Sequence, residues 1–261
     1  MINNSNIKWV VKKPYKIFSI KDFLNDLDYE SIKKNFPNFE DINKESFFKF
    51  ENNKFGITSG SDEYNNIILK NEVLKKFHNF VNSYDFKKIF FYKLYKNIIT
   101  SRKFNLKHFY KVLKIPKFVE KLDDNFFLKN FSIFSKYKIT IQYSYILNDG
   151  MIVPHTDAGD KILTLLLYFP QYQNNLLYKN KELKYGTTFW ESDFKNKNDK
   201  HVRNINDQTQ FKKMSKILFE ADFIENNLFG FIKNKYSWHS VEPTNIHDGY
   251  VRKSININIY Y

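Results

Sequence analysis

The second half of the chain consists of short segments that are rich in β-branched and aromatic residues and are separated by turn residues. The first of them, residues 137–147, alternates along its length, and Asn148-Asp149-Gly150 follows it as a turn. Further strands are predicted at 151–157, 162–169, 187–190, 228–232, 238–241 and 254–260. Many short strands with frequent turns are typical of a sandwich or of a jelly roll with two sheets. The pattern begins at about Lys136 and therefore predicts a β core over residues 136–261.

The first half of the chain instead carries apolar residues at helical spacing. An amphipathic helix is predicted at residues 20–35, with Leu27 among its apolar positions. A longer helical region is predicted at residues 66–98, divided in two where Ser83 or Asp85 provides a capping side chain. Helices are therefore expected to be confined to this half.

Two further stretches are predicted to lack regular structure. Residues 52–62 contain glycines and serines and are predicted to form a loop. Residues 192–216 are charged and poor in apolar residues, which predicts an exposed excursion from the core. The whole pattern predicts an α+β protein with a mainly β core, built as a single domain over residues 1–261. Residues 1–135 would be a mainly helical support region.

The composition limits the possible functions. The 261 residues carry a formal net charge of +14, which comes from dispersed lysines, since arginine occurs only at positions 102, 203 and 252. We expect this charge to serve solubility, with an anionic partner as the alternative. The absence of cysteine excludes disulfides, thiolate metal sites and cysteine nucleophiles, and it favours a cytoplasmic location. No apolar run is long enough to predict a membrane span.

A candidate metal site is formed by two histidines and an aspartate. His155 and Asp157 are two residues apart in a predicted strand, so both side chains are expected on one face, and His239 lies in a later strand. Two imidazoles and one carboxylate hold a non-haem iron(II) and leave open positions for catalysis. The alternative is that the His-x-Asp pair is a chance occurrence. His78, His108 and His201 are predicted to be structural or solvated, and His247 is a weaker candidate ligand.

The last predicted strand carries a second candidate site. Arg252, Ser254, Asn256 and Asn258 alternate with lysine and isoleucine, which predicts that all four lie on one face. A guanidinium group and a hydroxyl group two residues apart can hold a carboxylate together. The alternative is an amphipathic edge strand whose polar face is in water.

Taken in order, these segments resemble the iron(II)- and 2-oxoglutarate-dependent dioxygenases, most closely the branch that contains the prolyl hydroxylases. The resemblance covers residues 145–260. The matching positions are Tyr145, Gly150, Pro154-His155-Thr156-Asp157, the apolar strand 163–169, Gly186-Thr187-Thr188-Phe189, Trp238-His239-Ser240-Val241 and Arg252-Lys253-Ser254. The resemblance implies a double-stranded β-helix, or jelly roll, with an N-terminal helical support region.

The resemblance also implies a cofactor, a co-substrate and a reaction. Iron(II) would be held by His155, Asp157 and His239. The distal carboxylate of 2-oxoglutarate would be held by Arg252 and Ser254, with help from Tyr145 or Tyr143. The implied reaction uses O2 to hydroxylate a substrate carbon and converts 2-oxoglutarate to succinate and CO2. Three aromatic residues are expected to line the pocket or, alternatively, to belong to the core: Phe189, Trp190 and Trp238.

Other functions remain as alternatives. The nucleic-acid demethylases of the same superfamily usually carry a second arginine six positions after the first, where this chain has Asn258, so a nucleic-acid partner is disfavoured. Halogenases of the superfamily lack the carboxylate ligand, which is present here as Asp157. A zinc hydrolase would need a glutamate-bearing helix motif that is not found. A non-catalytic jelly-roll binding module remains open, and the prime substrate, a small molecule or a protein side chain, is not identified by the sequence.

Overall fold

The computed structural model describes ten ranges of the chain. They are residues 1–38, 48–50, 53–94, 97–98, 138–147, 149–157, 159–170, 186–194, 205–243 and 250–260. The strands in these ranges are β1 (Lys8–Val11), β2 (Ile17–Ile20), β3 (Phe48–Phe50), β4 (Lys54–Thr58), β5 (Lys138–Leu147), β6 (Ile152–His155), β7 (Lys161–Phe169), β8 (Thr188–Ser192), β9 (Ser215–Glu220), β10 (Leu228–Ile232), β11 (Trp238–Val241) and β12 (Val251–Tyr260).

These strands form two antiparallel sheets. The large sheet has the order β1-β2-β10-β7-β12-β5-β4-β3, and the small sheet has the order β6-β11-β8-β9. From β5 onward the chain passes back and forth between the two sheets, so strands that are adjacent in the sequence seldom pair with each other. The prediction of a mainly β core in the second half is confirmed.

The helices described in the first half are α1 (Asp26–Lys34), α2 (Asp62–Lys70), α3 (Glu72–Asn82) and α4 (Tyr84–Lys87), followed by a π-helical turn at Lys88–Tyr92. The predicted break is confirmed at Ser83, whose hydroxyl accepts a hydrogen bond from the Phe86 amide at 3.3 Å. Another break, at Asn71, was not predicted; there the side chain caps α3. None of the described helices is both long enough and apolar enough to cross a membrane.

The helices pack against one face of the large sheet. Leu74 and Phe77 of α3 are buried in the same cluster as Ile255, Ile257 and Ile259 of β12. Because side chains alternate along a strand, the even-numbered residues of β12 face the other way, toward the small sheet. All nine residues of β7 are buried, which agrees with its nearly continuous apolar sequence. The large sheet therefore separates a helix-covered apolar core from the space between the two sheets.

Several predicted elements differ from the structure. The first helix begins at Asp26 and not at residue 20, because Ile17–Ile20 form β2. Leu27, which was predicted on the apolar face of this helix, is 84% exposed. The predicted loop at 52–62 contains β4, which pairs with β5. The first half is thus not only helical, since β1 to β4 extend the large sheet. Tertiary pairing has overridden the local turn signals here.

The predicted excursion at 192–216 also contains regular structure. A fifth helix, α5 (Ile205–Lys213), lies in this stretch, and β9 begins at its end. Phe211 of α5 is buried and packs against Trp238, with the ring centroids 5.0 Å apart. Helices are therefore not confined to the first half, and the buried Phe211 packs this helix against the small sheet.

Candidate metal centre

The small sheet brings the two predicted histidine ligands together. β6 and β11 are antiparallel neighbours, and His155 is paired directly with His239. The two imidazole rings have centroids 4.2 Å apart. Asp157 follows β6 after one residue, and one ligand atom of each of the three side chains lies within 4.8 Å of the others. The three residues that the sequence singled out for a metal therefore form one cluster.

Backbone carbonyl groups orient both imidazoles. Nδ1 of His155 donates a hydrogen bond to the Val153 carbonyl at 2.9 Å, and Nδ1 of His239 donates to the Ser237 carbonyl at 3.0 Å. A carbonyl oxygen can only accept, so Nδ1 carries the proton in each ring and Nε2 keeps its lone pair. Each Nε2 lies 4.0 Å from an oxygen of Asp157. Both rings thus present an unprotonated nitrogen to the same small volume.

The charge states of the three groups also suit a metal ion. Burial lowers the pKa of His155 well below its ordinary value, and it lowers the pKa of His239 as well. Burial alone would raise the pKa of Asp157, but the charge and hydrogen bond of Lys161, together with the interactions with His239 and His155, outweigh burial and hold that pKa well below its usual range. At neutral pH the cluster therefore consists of two neutral imidazoles and one carboxylate, as a divalent ion requires.

Two residues of β7 hold the carboxylate in place. Lys161 Nζ donates to Asp157 Oδ1 at 2.6 Å, and Thr164 Oγ1 donates to Asp157 Oδ2 at 3.0 Å. Supporting bonds of this kind orient metal ligands in many proteins. Sequence reasoning missed both residues, although polar side chains inside an apolar strand are a signal that could have found them.

A cavity runs from the three ligands to the polar face of β12. The described residues that line it are Lys54, Gln142, Ser144, Ile152, His155, Asp157, Lys161, Thr164, Leu166, Thr187, His239, Ser240, Val241, Arg252, Ser254, Asn256 and Asn258. Arg252, Ser254, Asn256 and Asn258 all belong to it, as the alternation in the sequence predicted. The edge-strand alternative is wrong, because β12 lies between β5 and β7.

Arg252 packs against a pair of aromatic rings that also contact each other, with their centroids 4.9 Å apart. Its guanidinium carbon lies 5.2 Å from the centroid of the Tyr168 ring and 4.7 Å from that of Phe223, and the residue is 3% exposed. The hydroxyl of Tyr168 in turn donates to Thr187 Oγ1 at 3.1 Å. Burial lowers the pKa of Arg252, but a guanidinium stays charged at neutral pH. A buried guanidinium therefore lies against two aromatic rings at the cavity wall.

A chain of hydrogen bonds runs along the cavity wall from Ser254 to Thr58. Ser254 Oγ donates to Asn256 Oδ1 at 3.1 Å, and Asn256 Nδ2 donates to Gln142 Oε1 at 3.3 Å. Gln142 Nε2 then donates to Thr58 Oγ1 at 3.0 Å. Rotation of both amides by 180° would reverse every donor and acceptor in this chain. The Ser254 hydroxyl could then donate into the cavity.

Tyr145 and Tyr143, expected to assist the co-substrate, do not line the cavity. Pairing of Arg252 with Ile146 and of Ser254 with Ser144 turns the even-numbered residues of β5 toward the cavity and the tyrosines toward the helices. Tyr145 donates its hydroxyl proton to the Pro37 carbonyl at 2.7 Å, and Tyr143 stacks on Tyr64. The expectation for the two tyrosines is therefore corrected. The residues of β5 that line the cavity are Gln142 and Ser144, each one position before a tyrosine.

The three aromatic residues expected near the cavity belong to the core instead. Phe189 packs edge-on against Phe231, at 5.4 Å between centroids. Trp190 and Trp238 both pack around Phe211. The alternative prediction for these three residues, that they belong to the hydrophobic core, is confirmed.

The remaining histidines do not join the cluster where the structure describes them. His78 shares a hydrogen bond of 3.0 Å with the Tyr64 hydroxyl, on the helical side of the molecule, as a structural histidine would. His108, His201 and His247 lie outside the described residues.

Lys54 is a further cavity residue that sequence reasoning missed. It is half-buried at the start of β4, within the segment that was predicted to be a loop. Burial, together with repulsion from Lys161, lowers its pKa to about 8. No pattern in the sequence singles out this residue among so many lysines.

Comparisons with known proteins give structural likeness only. No protein-family model matches the sequence, and no curated protein matches it either. The fold is similar to a prolyl-4-hydroxylase from Pseudomonas putida, with a TM-score of 0.46 and 8% identity over 95% of this chain and 93% of that one.

Two other solved structures are similar to the same degree. One is a prolyl hydroxylase from Trichoplax adhaerens, in complex with a peptide fragment of the hypoxia inducible factor oxygen degradation domain. Its TM-score is 0.44, with 12% identity over 94% of this chain and 83% of that one. The other is the epimerase SnoN, in complex with Fe3+, alpha ketoglutarate and nogalamycin RO. Its TM-score is 0.48, with 7% identity over 94% of this chain and 78% of that one.

Proposed function

We propose that this protein is an iron(II)- and 2-oxoglutarate-dependent dioxygenase that hydroxylates a carbon atom of its substrate. One observation carries the proposal: a buried His155-Asp157-His239 cluster opens into a cavity whose far wall presents Arg252. A three-residue donor set leaves coordination positions open for a co-substrate and for oxygen, and a structural metal site would close them.

We infer that the strands from β5 to β12 form a double-stranded β-helix within a single domain of residues 1–261. Successive strands that alternate between two facing antiparallel sheets are the pattern of this fold. One buried cluster contains residues from both halves of the chain, such as Phe77 and Ile255, which supports a single domain. The first 135 residues would then support the barrel with strands as well as helices.

The donor set fits iron(II). His155 Nε2, His239 Nε2 and an oxygen of Asp157 would hold the ion, and the carboxylate would offset part of its charge. With 2-oxoglutarate and O2, the ion would supply the oxidising chemistry that yields succinate, CO2 and a hydroxylated substrate. Lys161 and Thr164 would keep the carboxylate directed toward the histidines while the ion is bound.

The polar face of β12 would hold the co-substrate. Arg252, which packs against Tyr168 and Phe223, would offer two parallel N–H groups to the distal carboxylate of 2-oxoglutarate. Ser254 would donate to the same carboxylate after the amides of Asn256 and Gln142 have rotated. The apolar wall residues Ile152, Leu166 and Val241 would exclude water around these contacts.

The test is anaerobic titration of the purified protein with iron(II), followed by 2-oxoglutarate, with succinate measured after oxygen is admitted. Wild type is expected to retain one iron per chain and to form succinate. His239→Ala is expected to lose iron on desalting, because one of three ligands is gone. His78→Ala removes a histidine on the helical side and should retain iron like wild type. Iron retained equally by His239→Ala, or succinate formed without added 2-oxoglutarate, would contradict the proposal.

A further inference from the structure

Lys161 places a positive charge against one of the candidate metal ligands. Its ammonium nitrogen lies 2.6 Å from Oδ1 of Asp157, and the residue is buried at the start of β7. A metal ion would bind to the same carboxylate group. The distance between the ammonium group and the ion is therefore set by the size of one carboxylate, and a buried site screens two such charges only weakly.

The ammonium group is confined to this position by contacts from two strands. Lys161 pairs with Tyr260 of β12, and its Nζ lies 5.7 Å from the centroid of the Tyr260 ring. Thr164, on the same strand as Lys161, donates to the other oxygen of Asp157 at 3.0 Å. The positive charge should therefore stay beside the carboxylate when an ion is bound.

Lys161 and Thr164 differ in what they bring to Asp157. Both donate a hydrogen bond to the carboxylate, but of the two only Lys161 carries a formal charge. The ammonium group cancels the charge of the carboxylate, so these two groups and the neutral imidazoles of His155 and His239 have no net charge together. Without the ammonium group they would carry one negative charge, which attracts a cation more strongly as the charge of that cation rises.

The consequence differs between the two oxidation states of iron. Oxidation of iron(II) to iron(III) removes one electron and raises the positive charge of the ion by one. Repulsion from Lys161 grows in proportion to the charge of the ion, so it disfavours iron(III) more than iron(II). Other charged groups around the cavity add contributions of their own, but they do not alter the contribution of Lys161.

We propose that Lys161 favours the iron(II) state of the metal centre by opposing the extra positive charge of iron(III). This inference rests on the proposed function, since it takes iron as the bound ion. An oxygenase with this donor set uses iron(II), so a residue that opposes the loss of an electron keeps the resting centre ready for 2-oxoglutarate and oxygen. Lys161 is then a positioning residue, because it acts through Asp157 and the ion and not on the substrate.

The experiment is an anaerobic redox titration of the iron-loaded protein, with electron mediators and without 2-oxoglutarate. Electron paramagnetic resonance of iron(III) gives the midpoint potential. Lys161→Gln keeps a hydrogen-bond donor but removes the charge. It should increase the affinity for iron(III) relative to iron(II) about tenfold, which lowers the potential by about 59 mV. Lys161→Arg keeps the charge and should keep the potential of wild type.

Two controls separate the charge from the hydrogen bond. Thr164→Val removes the neutral donor from Asp157, and its potential should stay closer to that of wild type than the potential of Lys161→Gln does. Lys70→Gln removes a positive charge from an exposed position at the end of α2 and should leave the potential unchanged. A potential of Lys161→Gln equal to that of wild type, or an equally large fall in Thr164→Val, would overturn the inference.

Lys161→Met is a second neutral variant, of similar length, for use if Lys161→Gln does not fold or does not retain iron. Removal of a positive charge does not by itself weaken the binding of a cation. Failure of both neutral variants to fold, or loss of iron(II) from both, would therefore assign Lys161 a structural role instead and overturn the inference.

The two proposals fail in different ways. A wild type that retains no iron would refute the proposed dioxygenase, and the role of Lys161 with it. A wild type that retains iron and forms succinate, but has the same midpoint potential as Lys161→Gln, would refute only the role of Lys161.

Discussion

Arg252 combines a fixed position with a charge that burial does not remove. Its guanidinium packs against the rings of Tyr168 and Phe223, and the residue is buried. A lysine at this position would keep the charge but would lose the contact of a planar guanidinium with the rings and the two parallel N–H groups. The identity of the residue, and not only its charge, should therefore matter for the binding of a carboxylate.

We expect Arg252→Lys to weaken the binding of 2-oxoglutarate by about 1–3 kcal/mol, because an ammonium group cannot make the proposed bidentate contact. Calorimetric titration of 2-oxoglutarate into the anaerobic iron-loaded variant measures this loss. Lys253→Arg is the matched control, since its side chain lies on the opposite face of β12, near Phe36. An affinity for 2-oxoglutarate equal to that of wild type in Arg252→Lys would remove Arg252 from the co-substrate site.

At the scale of elements, the start of β8 depends on a close approach between two backbone segments. A Cβ atom added at Gly186 would lie 2.0 Å from the carbonyl oxygen of Ala221, just beyond the end of β9. The neighbouring hydrogen bond, from the Ala221 amide to the Thr187 carbonyl, is 3.0 Å long. A side chain at position 186 would therefore push the two backbones apart, since a carbonyl group cannot rotate away as a side chain can.

Gly186→Ala is expected to lower the free energy of unfolding by about 1–3 kcal/mol, the usual cost of forcing an extra methyl group into a packed site. Thermal or chemical unfolding measures the change. Asn66→Ala, at an exposed position inside α2, is the control and should leave stability unchanged or slightly higher. A melting temperature of Gly186→Ala equal to that of wild type would show that this junction is not tightly packed.

For the whole molecule, the net charge of +14 invites comparison with nucleic-acid-binding proteins. We expect its lysines to act as a dispersed charge, so that binding to DNA or RNA is weak, indifferent to sequence and lost steeply as salt is raised. Fluorescence anisotropy with labelled oligonucleotides, at about 50 and about 200 mM salt, tests this expectation. Tight binding at the higher salt concentration, or succinate formation stimulated by a methylated oligonucleotide, would contradict it.

The sequence by itself determined the features that depend on local pattern. Strands β10 and β11 lie at the residues that alternation and turn signals predicted, and Ser83 caps a helix as its side chain predicted. The candidate ligands His155, Asp157 and His239 were also identified from the sequence, because two histidines and one carboxylate are a donor set for iron(II) and their order along the chain is distinctive. These features follow from side-chain chemistry and from the period of the backbone, which both act over short distances.

Only the tertiary structure decided which residues meet across the sheets. The register between β5 and β12 turned Ser144 toward the cavity and Tyr145 away from it, and a shift of one residue would have reversed this result. Strands β1 to β4 extend the large sheet on both sides, and β4 forms there although its segment carries loop signals, because β5 offers it a partner. Lys54 reaches the cavity by long-range pairing of β4 with β5. No local signal marks this residue, since the free energy that places it comes from contacts between distant parts of the chain.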